Sequence, residues 1–330
     1  MKPMADCIPP ADLAKGRWWS NAWSLTSGCT AVSAGCAHCW SASIATRFPN
    51  KPIYAGTAKG GKWTGEVRFN PGQLDKPLRT KTQRVFAVWN DLFHPAVTDA
   101  QIDAAFAIML LAPQHWFIVL TKRPKRMRDY LVDLTDHDEW RSALWDADYP
   151  RHEARLQLLE NQDRSVEYAG RDTPLFDALW TALERPFDEA TWPLPNVILG
   201  TSVEDQATAD ERIPLLLDTP AAYRMVSYEP ALASVRWRLW FPHWRCECGL
   251  IAMPLTDDTS CDCNDMYKEA WTHTPGIDWL VAGSETGPGA RPCDLDWLRD
   301  ARGRCAGTRT AFFLKRPNEL DGKTHQDFPA

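Results

Sequence analysis

Short apolar runs recur along this chain, and each run ends in polar or charged residues. Apolar runs of roughly four to eight residues are typical of strands buried on both faces, as in a parallel sheet covered by helices. Helical patterns lie between several of these runs, for example at 98–111 and 205–217. The apolar runs lie at 85–89, 116–120, 196–200, 223–227, 277–283 and 311–314, and a shorter candidate first strand lies at 23–25.

The repeated order of strand, polar residues and helix predicts an α/β fold. We expect one β/α barrel domain over residues 1–330, either a TIM barrel or a partial barrel, with active-site groups at the carboxyl ends of the strands. A doubly wound open sheet would produce similar local patterns and is the alternative. Two stretches interrupt the order: a predicted helical insertion at 134–195 and a cysteine-rich insertion at 236–274.

The composition narrows the class of protein. The net charge of −6 argues against a protein that coats nucleic acid, although a local basic patch is compatible with it. No apolar run is long enough to span a membrane, and the N-terminal stretch lacks the apolar core of a signal peptide. We therefore expect a cytoplasmic protein, in which the ten cysteines indicate metal sites rather than disulfides.

Three cysteines follow the candidate first strand. Cys29, Cys36 and Cys39 have the spacing C-x(6)-C-x(2)-C. Three thiolates in one loop suit a cuboidal 4Fe–4S cluster that is bound through three of its irons, so that the fourth iron stays open to a small-molecule ligand. A zinc site with His38 or a distant residue as the fourth ligand is the alternative. Spacing alone favours iron–sulfur modestly, and the barrel context favours it further.

Four more cysteines form a second group, with C-x-C, twelve residues and C-x-C. Two cysteine pairs separated by a hairpin-length spacer predict a structural zinc site of the ribbon or knuckle type. A second iron–sulfur cluster and reduced free thiols are the alternatives. Acidic residues surround the group, which lowers the expectation that it contacts DNA. The four cysteines are Cys246, Cys248, Cys261 and Cys263.

Several motifs in order carry a family resemblance. The segments SGCTAVSAGCAHCW, WNDLFH, VLTKRPKRM, LGTSVEDQATADERIPLLLDTPA, SYEPAL and DWLVAGSETGPGARP resemble a family of phage and prophage proteins of unassigned function. That family is known for a three-cysteine motif and is similar to radical S-adenosylmethionine (SAM) enzymes. The chain departs from the usual C-x(3)-C-x(2)-C spacing of that superfamily, because its first gap is three residues longer. In addition, His38 stands before the last cysteine, where the usual motif has an aromatic residue, and Trp40 follows that cysteine.

The resemblance implies an activity and its cofactors. A reduced 4Fe–4S cluster would cleave SAM to a 5′-deoxyadenosyl radical, which would remove a hydrogen atom from a nucleobase, nucleotide or nucleic-acid substrate. It would be a lyase or an enzyme of nucleic-acid modification or repair. The implied partners are an electron donor such as flavodoxin or ferredoxin and a protein encoded nearby in the phage. Tyr228 or Cys293 would return a hydrogen atom as catalytic residues, although a cysteine at such a position more often serves packing.

Polar residues at the strand ends are the candidate SAM ligands. An acidic group suits the SAM ammonium, and Asp91 is the best-placed candidate. A cation suits the carboxylate, which Lys122 or Arg123 would bind. Further hydroxyl and carboxylate groups would contact the ribose and the rest of the site, namely Thr201, Ser202, Glu204, Glu229 and Glu285.

Each of these residues has a structural alternative. Lys122 and Arg123 could pair with Glu204 or Glu229 to close the barrel mouth, and Arg291 could be the ion-pair partner of Glu285. Two other functions also stay open. One is a metal-stabilised binding or accessory protein that lacks radical chemistry, and the other is a zinc-dependent hydrolase. No histidine pair has metal-binding spacing, which weighs against the hydrolase.

Overall fold

A computed structural model describes residues 1–136, 193–237, 240–246, 251–252, 271–287 and 289–329. Its central element is a seven-stranded sheet in which every neighbouring pair is parallel. The strands, in spatial order, are β1 (Asn21–Trp23), β6 (Val85–Val88), β7 (Trp116–Thr121), β8 (Val197–Ser202), β9 (Tyr223–Tyr228), β13 (Trp279–Gly283) and β14 (Ala311–Arg316).

The spatial order of these strands follows the chain order and never reverses. A doubly wound sheet has a point where the order reverses and places helices on both faces. Right-handed crossovers that continue in one direction instead place every helix on the same face. The fold is therefore a half-barrel, as the partial-barrel prediction expected, and the doubly wound alternative does not describe it.

Helices cover the outer face of the half-barrel. Apolar side chains on the helices pack against alternate residues of the strands in one continuous core, for example Phe106 and Ile213 against Phe117 and Leu199. The covering helices are α4 (Asp99–Leu111), α5 (Pro124–Asp136), α6 (Gln206–Leu217) and α7 (Leu295–Ala306).

Local sequence determines where two of these helices begin. The Thr98 hydroxyl accepts a hydrogen bond from the backbone N–H of Gln101, and the Gln101 side chain accepts one from the backbone N–H of Thr98. Asp205 and Thr208 make the equivalent reciprocal bonds before α6. Such capping boxes satisfy backbone donors that a helix start leaves free. They start α4 in the loop that follows β6, and α6 in the short loop that follows β8.

The inner face of the sheet is filled at its amino-terminal end by the start of the chain. Met4, Ile8 and Trp18 are buried against the first residues of the strands. The Trp18 ring lies edge-on to Trp279, with 5.9 Å between ring centroids. Phe328, near the other end of the chain, packs on the same ring at 5.3 Å. Two segments outside the regular strand–helix order thus close the bottom of the half-barrel.

Smaller elements surround the main sheet. The short strands β2 (Thr26–Ser27) and β5 (Arg68–Phe69) pair with each other, as do β3 (Ala58–Lys59) and β4 (Lys62–Trp63). A short helix, α2 (Trp40–Arg47), packs on the β3–β4 hairpin, and two further single-turn helices span Pro10–Leu13 (α1) and Lys76–Arg79 (α3).

The two predicted insertions are only partly within the described residues. Most of 134–195 lies outside them. In the second stretch, β10 (His243–Cys246), β11 (Ile251–Ala252) and β12 (Trp271–Thr274) form a separate antiparallel sheet. Cys246 is buried at the end of β10. Cys248, Cys261 and Cys263 lie outside the described residues, so the four-cysteine zinc site stays a prediction.

Replacing Trp18 with alanine should destabilise the fold, because it removes a large buried side chain from the closed end of the half-barrel. Trp18 is 6% exposed, and truncating a buried tryptophan to alanine lowers the free energy of unfolding by about 3–5 kcal/mol. Urea denaturation followed by far-UV circular dichroism measures the change. Trp40→Ala is the matched control, because Trp40 is 53% exposed and should change the free energy of unfolding by about 0.5 kcal/mol or less. Equal losses in the two variants would contradict the assignment of Trp18 to the core.

Candidate functional site

The three-cysteine loop lies at the carboxyl edge of the half-barrel. It joins β2 to α2, with Cys36 in a short 3-10 turn and Cys39 at the start of α2. Gly28 begins the loop with a φ of 91°, and a Cβ there would overlap the Glu66 carbonyl, so the chain can pass only with glycine at this point. All three cysteines are partly buried thiols outside any disulfide.

Arg123 binds the first cysteine and its surroundings. Its Nη1 lies 3.7 Å from the Cys29 Sγ and 2.6 Å from the Asp91 Oδ2, while its Nη2 donates to the Thr30 hydroxyl at 2.7 Å. Asp91 also accepts a 2.6 Å hydrogen bond from the Thr121 hydroxyl. Burial and the Asp91 carboxylate outweigh Arg123 and raise the pKa of Cys29 to about 11.

His94 contacts the same part of the loop, and its ring is neutral. Its Nδ1 accepts the Ala96 backbone N–H at 3.1 Å, so the proton must lie on Nε2, which faces the Thr30 hydroxyl at 3.0 Å. Burial lowers the pKa of His94, with Arg123 acting in the same direction. His94 is therefore a hydrogen-bond donor to the loop rather than a charged group.

Glu204 is the most heavily bonded carboxylate at this edge. It is completely buried, and it accepts from Lys122, from the Ser33 hydroxyl at 2.9 Å and from the Arg212 guanidinium at 3.3 Å. A Cβ on Gly35 would overlap the Glu204 carboxylate, so glycine allows the cysteine loop to lie directly on it.

The second cysteine shares these surroundings. Ser33 Oγ lies 4.0 Å from the Cys36 Sγ. Burial acts to raise the pKa of Cys36, but the Lys122 charge and hydrogen bonds from Val32 and Ser33 outweigh burial, and the pKa is lowered. Cys36 thus has more thiolate character than Cys29.

Glu285 lies against the last part of the loop. His38 Nδ1 is 3.0 Å from its carboxylate, and Arg291 binds both of its oxygens, at 2.9 and 2.6 Å. The pKa of Glu285 is lowered to about 2, mainly because the Arg291 side chain donates hydrogen bonds to its carboxylate. His38, the alternative zinc ligand, is therefore engaged in an ion pair or hydrogen bond with Glu285.

Glu229 lies further along the same edge, after β9. Its Oε2 is 3.3 Å from the Ser227 hydroxyl and 3.3 Å from the Lys315 ammonium. Its Oε1 has no hydrogen bond within the described part of the chain. Ser227 and its neighbour Ser202 lie side by side in the β8–β9 register, and both are buried.

The structure thus brings most of the predicted site residues to one edge, though largely as partners of one another. Lys122 pairs with Glu204 and Arg291 with Glu285, as the structural alternative expected. Arg123 pairs with Asp91 rather than with Glu204 or Glu229. Thr201 is buried, and its hydroxyl donates to the Thr121 carbonyl at 3.0 Å.

The two predicted hydrogen-atom donors lie elsewhere. Tyr228 is fully buried in the core of the outer face, and its hydroxyl donates to the Ala233 carbonyl. Burial raises its pKa. Cys293 is partly exposed, with its Sγ 3.6 Å from the Asp294 carbonyl.

Several residues of the site were not predicted. Thr30 and Ser33 lie inside the cysteine motif, and Lys315 follows an apolar run, so a local signal existed for each of them. Arg212 lies in the middle of α6 and gives no such signal, because its role depends on the packing of that helix on Glu204.

The cysteine loop has the donor atoms of a metal site but, in the described part of the chain, no preformed metal geometry. Among the described residues, no group of three or more His, Cys, Asp or Glu side chains is arranged to hold a metal ion. The chemistry of the loop nevertheless fits an iron–sulfur cluster, because three reduced, partly buried thiols lie at one sheet edge, with Gly28 before the first cysteine and Gly35 before the second. None of the helices in the described ranges is both long and apolar enough to cross a membrane.

Comparison with known proteins assigns a family. A family described as "Protein of unknown function (DUF5131)" matches residues 14–328. The chain belongs to this family. The predicted membership of a family of unassigned function is therefore confirmed at that level. Neither the search of curated proteins nor the search of solved structures gives a match.

Replacing Glu204 with glutamine should destabilise the protein by about 3 kcal/mol, because Arg212, 3% exposed, would keep a buried charge without its carboxylate partner. Chemical denaturation measures the loss. Glu211→Gln is the matched control, because the Glu211 carboxylate lies 3.9 Å from the same guanidinium but is 71% exposed, and its removal should cost about 0.5 kcal/mol or less. A Glu204→Gln protein as stable as the control would show that the buried carboxylate does not hold the edge together.

Proposed function

We propose that this protein is a radical SAM-like iron–sulfur enzyme that acts on a nucleobase, nucleotide or nucleic-acid substrate. One observation carries the proposal: the three-cysteine loop lies at the carboxyl edge of a parallel half-barrel, in contact with cations and carboxylates from several strand ends. That edge is where β/α barrels place their active sites. The similarity of the family to radical SAM enzymes and its phage origin belong to the same proposal.

Cys29, Cys36 and Cys39 would hold a 4Fe–4S cluster. When bound, such a cluster supplies the electron that cleaves SAM to methionine and a 5′-deoxyadenosyl radical, which takes a hydrogen atom from the substrate. Arg123 donates toward the Cys29 sulfur and so stabilises negative charge on it. The Lys122 ammonium lowers the pKa of Cys36, in opposition to burial, and so favours the ligating thiolate form.

Lys122 is the residue that we assign to the SAM carboxylate. An ammonium has three donors, and the Glu204 carboxylate does not use all of them. The Lys122 side chain is 19% exposed, whereas that of Arg123 is 12% exposed and already bonds to Asp91 and Thr30. Arg123 therefore positions the cysteine loop, and Lys122 binds the SAM carboxylate.

Glu229 is better suited than Asp91 to bind the SAM ammonium or ribose. Asp91 accepts from Thr121, from the Phe93 backbone and from Arg123, so both of its oxygens are engaged. Glu229 keeps Oε1 without a hydrogen bond in the described residues. The buried hydroxyls of Ser202 and Ser227 beside it add polar groups to the inner face.

The remaining roles belong to the same proposal. Tyr228 or Cys293 would return a hydrogen atom. Both pack in the core of the outer face, but Cys293 is partly exposed, whereas Tyr228 is fully buried. Flavodoxin or ferredoxin would supply electrons. Zinc would bind the four cysteines of the second group, and a neighbouring phage protein would be the partner.

A second function is favoured by a different observation. The cations and carboxylates of the edge are mostly paired with one another, which is also what a stable, non-catalytic edge requires. A metal-stabilised binding or accessory protein without radical chemistry is therefore the alternative.

Anaerobic reconstitution with iron and sulfide tests the two functions. We expect a brown protein whose visible absorbance bleaches on reduction and which then cleaves SAM to 5′-deoxyadenosine. Cys36→Ala should abolish both the colour and the cleavage, because one ligand of the cluster is lost, while zinc bound by the second cysteine group stays in place. Chromatography of the nucleoside product and elemental analysis measure these outcomes.

Cys7→Ala is the control, because Cys7 is buried in the segment that closes the amino-terminal end of the sheet. It should leave iron content and SAM cleavage unchanged. A colourless wild-type protein that contains only zinc would overturn the radical function and favour the accessory function.

A further inference from the structure

The cations of this chain are unevenly distributed. Residues 13–65 contain no aspartate or glutamate, although the whole chain has a net charge of −6. The same stretch contains Lys15, Arg17, Arg47, Lys51, Lys59 and Lys62. The cysteine loop lies in the middle of this stretch, so the surface next to the candidate site differs in charge from the rest of the protein.

Four of these cations lie on α2 and on the segment that follows it. Arg47, Lys51, Lys59 and Lys62 are all exposed, and none of them forms an ion pair with a carboxylate within the described ranges. The Gly61 backbone N–H donates to the Thr46 hydroxyl at 3.1 Å, which fastens the β3–β4 hairpin to α2. The cations therefore belong to one surface.

The hairpin has a repulsive charge pair. Lys59 and Lys62 are directly opposite each other in the β3–β4 register. Gly60 and Gly61 form the turn between them with φ values of 58° and 77°, as a tight hairpin turn requires. Like charges opposite each other destabilise a strand pair. A bound anion would relieve this repulsion, which argues for an anionic ligand at the hairpin.

Exposed aromatic rings accompany the cations. Trp40 is 53% exposed and Phe48 is 47% exposed, at the two ends of α2. Lys51 Nζ lies 4.9 Å from the centroid of the Phe48 ring. Trp40 directly follows Cys39, and its ring lies edge-on to Trp89, with 4.9 Å between centroids, at the end of β6. We call Trp40, Arg47, Phe48, Lys51, Lys59 and Lys62 the α2 face.

We propose that the α2 face binds single-stranded nucleic acid, with phosphates on the four cations and bases stacked on Trp40 and Phe48. Cations that track a backbone beside exposed aromatic rings are the means by which proteins bind single strands. The backbone positions of Trp40 and Phe48 are about 12 Å apart along the helix axis, so their rings suit separate bases rather than one apolar wedge in a membrane. A duplex, whose bases are already stacked, would leave both rings unused.

The face also leads to the cysteine loop. A base stacked on Trp40 would lie next to Cys39, the last cysteine of the loop, because the two residues are adjacent in the chain. Single-stranded nucleic acid is then the substrate class of the enzyme, an assignment that rests on the proposed function. The binding itself does not depend on radical chemistry.

Fluorescence anisotropy with a labelled oligothymidylate and the full-length protein tests the binding. Four phosphate contacts predict a slope of about −3 for log affinity against log salt concentration. Lys59→Gln/Lys62→Gln should reduce the magnitude of this slope by about 1.4. Trp40→Ala should weaken binding roughly 5- to 150-fold through the loss of stacking, and Trp40→Phe should restore most of it.

Lys2→Gln/Lys81→Gln is the matched control, because it removes the same charge from exposed lysines near the amino-terminal edge of the sheet. It should leave binding nearly unchanged. Equal loss in the two double variants, tighter binding of a duplex of the same sequence, or no binding of the strand would overturn the proposal. So would capture of the protein by phosphatidylserine vesicles in place of the strand.

SAM cleavage without nucleic acid, measured on the same preparations, separates the two proposals. A protein that binds the strand but forms no cluster keeps the α2-face proposal and overturns the radical function. A protein that cleaves SAM but does not bind the strand keeps the radical function and overturns the α2-face proposal. Lys59→Gln/Lys62→Gln should cleave SAM as the wild type does, because neither lysine side chain forms a hydrogen bond or an ion pair with the cysteine loop in the described part of the chain.

Discussion

The buried Glu204 carboxylate joins the parts of the candidate site. Its backbone N–H is held by the Thr208 hydroxyl at 2.9 Å, at the start of α6. Its side chain then bonds Ser33 in the cysteine loop, Lys122 after β7 and Arg212 in α6. Burying a charge is costly unless it is paired and hydrogen-bonded. Three donors offset that cost, and in doing so they hold the cysteine loop on the edge of the sheet.

The two ends of the half-barrel have different roles: the amino-terminal end is packed for stability, and the carboxyl end holds the candidate site. At the amino-terminal end, the start of the chain and Phe328 fill the inner face with aromatic side chains. Toward the carboxyl end, the inner face has the small residues Gly200, Ser202, Ser227 and Gly283. The apolar packing below these residues gives the edge a rigid base.

The candidate edge and the neighbouring α2 face differ in net charge. The strand-end carboxylates are matched by cations within the site, so the edge itself is close to neutral. Arg47, Lys51, Lys59 and Lys62 of the α2 face lie beside it and form no ion pair within the described ranges. A charged polymer would therefore be held next to the site, while a small ligand would enter a preorganised polar edge.

The amino-acid sequence by itself determined the strands, the starts of α4 and α6, and the edge at which the polar residues collect. These features depend on local patterns: apolar runs, capping boxes such as that of Thr98, and the alternation of strand and helix. Whether the sheet would wind in one direction or two could not be derived, because both folds have the same local patterns. The sequence also did not determine which cation pairs with which carboxylate. Lys122 and Glu204 are far apart in sequence, and Arg212 has no local signal, so only the packing of α6 and the cysteine loop decided that these groups meet in one buried network.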